Sequence, residues 1–111
     1  MSDAALQPLR GEVWDARLPV VGRHQAVVLT VNPLIPRLSA ITVAIVTGTA
    51  GPSSTHVRLE ADTGLTRYPE SYVNATDLHT LSRTRLQQRR GRLAAGELAH
   101  LEDAVRLYLG L

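Results

Sequence analysis

The sequence predicts a mainly β domain, a small antiparallel barrel of five to seven short strands followed by one C-terminal helix. Three observations carry this expectation. Apolar residues come in short β-branched or alternating runs, punctuated by Gly, Pro and Asn. Only residues 94–109 change to spacings of three and four. The chain has 111 residues, 44% of them hydrophobic and 20% charged, which suits one ordinary core. Closely spaced strands favour a barrel because closure removes exposed edges.

The elements follow in order. Residues 1–9 read as a weakly patterned, flexible tail before a single domain spanning 1–111. Val13, Trp14, Ala16 and Leu18 mark a first, imperfect strand, and Pro19 and Gly22 bracket the turn after it. Residues 25–31, QAVVLTV, and 40–47, AITVAIVT, are β-branched runs suited to strands buried on both faces. Asn32, Pro33 and Pro36 punctuate the loop between them. After the break GTAGPSS, residues 55–61 alternate Val57 and Leu59 with polar neighbours, a half-exposed strand. A loop over 62–69 turns at Thr63-Gly64, and 71–81 holds one or two strands. Residues 83–93 read as a helical turn and a strand. In the final helix Leu98, Leu101, Val105 and Tyr108 form the apolar face, opposite Glu97, Glu102, Asp103 and Arg106. Gly110 stands where a left-handed cap is expected.

Composition excludes several chemistries. With no cysteine there is no disulfide, thiol nucleophile or Cys-based zinc site. All twelve basic residues are arginine, so lysine chemistry is absent, and the net charge is +2. No apolar run is long enough for a membrane helix and no secretory signal opens the chain, which makes the cytoplasm the expected compartment. His24, His56, His79 and His100 match no zinc spacing. Arg83, Arg85, Arg89, Arg90 and Arg92 cluster without an intervening acid. Such a cluster reads either as a nucleic-acid contact or as ion pairs with the acidic helix. Trp14, Tyr72 and Tyr108 read as core residues rather than stacking groups.

If 25–31 and 40–47 pair across their loop with Val31 opposite Ala40, partner numbers sum to 71, and His24 falls opposite Thr47. An imidazole, which titrates near neutrality, then meets a hydroxyl at one rim beside Arg23. The bland alternative is a solvated turn histidine and a strand-end threonine.

The ordered pieces RGEVW (10–14), AVVLTVNP (26–33), TVAIVT (42–47), YVNATDLHTL (72–81), RRGRL (89–93) and LEDAVRLYLGL (101–111) together resemble the MazF/PemK (Kid) toxins of bacterial toxin–antitoxin pairs, in their actinobacterial branch. The resemblance implies an SH3-like, CcdB/PemK-like barrel, a homodimer and a cognate MazE-like antitoxin with an acidic tail. It also implies a metal-independent, cofactor-free endoribonuclease, an mRNA interferase. Such an enzyme cuts single-stranded RNA (mRNA, tRNA or rRNA) by 2′-hydroxyl attack, leaving a 2′,3′-cyclic phosphate and a 5′-hydroxyl. The family's Arg-Pro aligns with His24-Gln25, with Arg23 one place earlier, while its terminal Ser or Thr aligns with Thr47. An arginine and an acid kept by some relatives are Asn74 and Thr76 here. His24, Thr47 and Arg23 are thus the expected catalytic residues. Gln25, Asn32, Thr49, Asn74, Thr76, Arg83 and Arg85 are the expected RNA contacts. The other function kept open is a binding protein of the same fold that does not cut, either a gyrase poison or a degenerate toxin.

Overall fold

A computed structural model of the chain describes residues 7–60 and 70–111. The expected loop over 62–69 and the first six residues of the expected tail lie outside the described residues. Of the rest of that tail, Pro8 is buried and the Leu9 N–H donates to Glu12 Oε1 at 2.7 Å.

Six strands form one antiparallel sheet: β1 (Glu12–Leu18), β2 (Gly22–Val28), β3 (Ala40–Thr47), β4 (His56–Leu59), β5 (Ser71–Ser82) and β6 (Leu86–Arg92). Helix α1 (Ala95–Leu109) follows. The order across the sheet is β4-β5-β3-β2-β1-β6, so β4 and β6 are its edges. The expected barrel is therefore realised as a coiled sheet whose pairing does not close. β4 has only four residues, and two irregularities in the β1–β6 ladder twist β6 away, both features that blunt an edge.

The coil is read from the cores. Trp14, Ala26, Val28, Ile41, Val43, Ile45, Leu81 and Leu86 share one buried cluster, drawing β1, β2, β3, β5 and β6 together on one face. On the other face Val13, Val27, Ala44, Val46, Val57 and Val73 meet Leu101 and Ala104 of α1. Alternation along β1, β2, β3 and β5 thus feeds two cores, as expected for the buried runs 25–31 and 40–47.

The β2–β3 register is the one the sequence predicts. Ala26 pairs with Ile45, Val27 with Ala44 and Val28 with Val43, each pair summing to 71. The bounds of β2 differ. It starts at Gly22, because the β1–β2 hairpin is tight and pairs Leu18 with Gly22, and it ends at Val28. Gly22 takes φ 85°, and Val20 at the exposed tip takes φ 72°, a costly angle for a β-branched side chain.

Helix α1 departs from its simple periodic reading. Glu97 is buried rather than solvated: its Oε1 accepts from Ala94 N–H and its Oε2 from Glu60 N–H, both at 2.7 Å. Tyr108, expected in the core, is half exposed. Gly110 caps the helix at φ 73°, with Leu111 N–H donating to the Arg106 carbonyl at 2.9 Å.

Candidate functional site

Thr47, Ile45 and Val43 alternate onto the sheet face opposite α1. Directly opposed residues share a face. Tyr72 is the partner of Thr47 across β3–β5, and Arg58 is the partner of Tyr72 across β4–β5. Next along, Ile45, Asn74 and His56 form a second row. On β2, His24 lies two residues from Ala26, which pairs with Ile45, so His24 alternates onto the same face. The β2–β3 ladder itself ends at Ala26–Ile45. Beyond the buried cluster this face turns polar, bearing His24, Thr47, Tyr72, Asn74, Arg58 and His56.

Hydrogen bonds preset several of these groups. Thr47 Oγ1 accepts from Thr49 N–H at 3.1 Å, which leaves its own proton free to donate. In the β3–β5 ladder Ala44 faces Leu78 but Ile45 faces Asn74, so residues 75–77 form a bulge without partners on β3, Ala75 staying buried with its N–H on the Thr55 carbonyl at 2.8 Å. The bulge brings Thr76 back onto Asn74. Its N–H and Oγ1 donate to Asn74 Oδ1 at 2.9 and 2.7 Å, leaving the Asn74 NH₂ to face outward needs. His56 Nδ1 lies 2.9 Å from Thr55 Oγ1, and a Cβ on Gly51 would come within 2.5 Å of its ring. The glycine-rich loop after β3 thus packs closely on this imidazole. Tyr72 Oη donates to Glu70 Oε2 at 2.8 Å, and Arg58 bonds the other carboxylate oxygen at 3.2 Å. That hydrogen bond, some desolvation and the Glu70 charge hold Tyr72 above the usual tyrosine pKa, with Arg58 opposing.

Other expected site residues go elsewhere. Arg23 and Gln25 flank His24 in β2 and therefore alternate onto the opposite face, so Arg23 does not share the His24–Thr47 face. Gln25 Oε1 is buried and has no hydrogen-bond partner among the described residues. Asn32 lies past the other end of β2, and its Oδ1 accepts from Arg10 N–H at 2.7 Å, a structural role. Arg89 and Arg90 are tied to the buried β1 carboxylates Glu12 (3.2 Å) and Asp15 (2.6 Å), not to the acidic helix. Hydrogen bonding to Asp15 raises the Arg90 pKa further.

Arg83 and Arg85 instead join the β1–β2 hairpin. They sit in the 3₁₀ turn Arg83–Arg85, which packs against β1, and Leu86 just after it pairs with Ala16. There Arg17 is directly opposite Arg23. None of Arg17, Arg23, Arg83 and Arg85 is ion-paired among the described residues. Sequence reading did not single out Arg17, Arg58 or His56, and it set Tyr72 in the core, where the structure leaves it only half-buried on the polar face. The signal for His56 and Arg58 was present, since they are the polar members of the alternating 55–61 run. Among the described residues no cluster of His, Asp and Glu could hold a metal.

Residues 9–109 match the family model of the PemK-like, MazF-like toxins of type II toxin–antitoxin systems. The chain belongs to this family. It is 39% identical over 88 residues, 78% of its length and 79% of the relative's, to a probable endoribonuclease MazF5 of Mycobacterium tuberculosis. Its fold matches that of a mycobacterial endoribonuclease solved in complex with its cognate antitoxin. The TM-score is 0.83 and the identity 25%, covering 94% of this chain and 96% of that one. It also matches the Mycobacterium tuberculosis toxin MazF-mt6, at TM-score 0.80 and 26% identity, covering 90% of this chain and 97% of that one. The MazF-like fold thus includes the coiled six-stranded sheet and terminal helix described above. No helix among the described residues is long and apolar enough to cross a membrane.

Proposed function

We propose that this MazF-like chain is a sequence-specific, metal-independent endoribonuclease toxin of the cytoplasm, neutralised by a cognate MazE-like antitoxin. What supports the reading is the polar sheet face that His24, Thr47 and Asn74 share by strand alternation, within a chain of this family. The proposed substrate is single-stranded RNA.

The chemistry needs three things. A base takes the proton of the 2′-hydroxyl, donors stabilise charge on the phosphorane, and an acid protonates the departing 5′-oxygen. His24 supplies the imidazole for proton transfer. Thr47 Oγ1 and the Asn74 amide donate to non-bridging oxygens, with their acceptor sites already occupied by Thr49 and Thr76. Arg58 on the same face is ion-paired with Glu70 and adds no net charge there. The 2′-oxygen bonds to phosphorus as the P–O5′ bond breaks, giving a 2′,3′-cyclic phosphate and a 5′-hydroxyl. Arg17, Arg23, Arg83 and Arg85 form a basic end that suits the RNA backbone away from the cut.

A homodimer is part of the proposal. Leu107, Tyr108, Leu109 and Leu111 are exposed at the end of α1, beside a cavity of about 350 Å³ that Leu109 and Leu111 help line. Contiguous exposed apolar surface of this kind favours a protein partner.

The test is incubation of the purified protein with a long RNA in EDTA, followed by mapping of the ends. Discrete cuts bearing 5′-hydroxyls are expected. Intact RNA would favour the non-cutting binding protein, which His24-Gln25 in place of the family's Arg-Pro keeps in view.

A further inference from the structure

Tyr72 stands apart from the other described aromatics. Trp14 is buried, and Tyr108 lies on the helix, away from this face. Tyr72 is half-buried on the polar face, directly opposite Thr47 on one side and Arg58 on the other. Its hydroxyl is held by Glu70, which is itself held by Arg58. A ring fixed this way loses little further freedom when something packs on it.

We propose that Tyr72 is a stacking platform for the base adjoining the scissile phosphate, and that Glu70 and Arg58 border the stacked base. The proposal rests on the endoribonuclease reading and adds to it a residue that sets substrate specificity. Directly opposed strand residues have Cβ atoms about 5 Å apart. A phosphate held at Thr47 therefore puts its neighbouring nucleoside over Tyr72. Every base offers a π-face, so the ring supplies affinity without choosing a base. The choice comes from the border. Each Glu70 oxygen already accepts one hydrogen bond and retains a second lone pair. A base presenting N–H donors, as guanine does on its Watson–Crick edge, is favoured there over one presenting acceptors.

The probe is a set of single-stranded 2′-O-methyl RNA oligonucleotides, which have no attacking hydroxyl, alongside cleavable RNA of the same sequences. Tyr72→Ala is expected to bind about 5- to 150-fold more weakly and to raise KM by a similar factor, with kcat little changed. Tyr72→Phe keeps the ring but loses its anchor on Glu70, so it is expected to bind more weakly than wild type and more tightly than Tyr72→Ala. Tyr72→Trp places a fluorophore at the site, and RNA is expected to quench it relative to Tyr72→Phe, which retains only the Trp14 signal. Glu70→Gln is expected to narrow the preference for guanine at the adjoining position. Wild-type affinity and KM in Tyr72→Ala, or no quenching of Tyr72→Trp by RNA that it binds, would overturn the proposal while leaving cleavage by the wild type untouched. Quenching in a protein that cuts no RNA would sustain the stacking role and remove the nuclease reading instead.

Discussion

Tyr72, Glu70 and Arg58 show how far single side chains preset this face. The Tyr72 pKa is raised, chiefly by its hydrogen bond to Glu70. The neutral phenol is therefore the favoured form in the folded protein. The linked stabilisation is present below the ordinary tyrosine pKa and is lost as pH rises through the higher folded value. Absorbance titration, taken as the difference between wild type and Tyr72→Phe, should show this tyrosine ionising above the usual range. Glu70→Gln should move it back down, and an unmoved titration would remove Glu70 as the cause. At this scale the sequence was partly legible. His24 and Thr47 could be set on one face because strand alternation has a period of two and the register followed from the loop. Arg23 was misplaced by the same rule, since a neighbour in a strand points the other way. The role of Glu97 was hidden because periodicity does not reveal a buried carboxylate that caps its own helix.

At the scale of elements, α1 is held to the sheet by few but deep contacts. Leu101 is fully buried, and Leu98 and Val105 pack beside it. Leu101→Ala should cost about 2–5 kcal/mol, measured as a shift of the urea unfolding midpoint at constant slope. Leu107→Ala, at an exposed position of the monomer, should cost far less by the same measure. The strands and helix were readable from their patterns, with bounds that shifted where tertiary geometry intervened. β2 begins early because the hairpin needs Gly22 at positive φ, and among the described residues of the run 55–61 only His56–Leu59 form the edge strand. The three-residue bulge in β5 left no signal in its hydrophobic pattern. Yet that bulge brings Thr76 onto Asn74.

Across the whole molecule, charge is sorted by pairing rather than by count. The net charge is only +2, but Arg89 and Arg90 of the cluster are neutralised by β1 carboxylates, whereas Arg83 and Arg85 of the cluster join Arg17 and Arg23 around the β1–β2 hairpin, with no ion pair among the described residues. Composition shows the cluster; only the fold divides it into structural and available members. If Arg85 meets a backbone phosphate, Arg85→Ala should lower the slope of log affinity against log salt by about 0.7 for single-stranded RNA. Arg90→Ala should leave that slope nearly unchanged and instead lower thermal stability by stranding Asp15. Equal slopes in wild type and Arg85→Ala would remove this end from the RNA path.

In the proposed mechanism His24 transfers a proton on the face it shares with Thr47. The most direct measurement is the single-turnover cleavage rate of His24→Ala on an RNA carrying one mapped site, with a thermal melt to establish that the variant is folded. A loss of roughly 100- to 10,000-fold with a native-like melt is expected for a group that transfers the proton. A folded variant that cuts at the wild-type rate would contradict it.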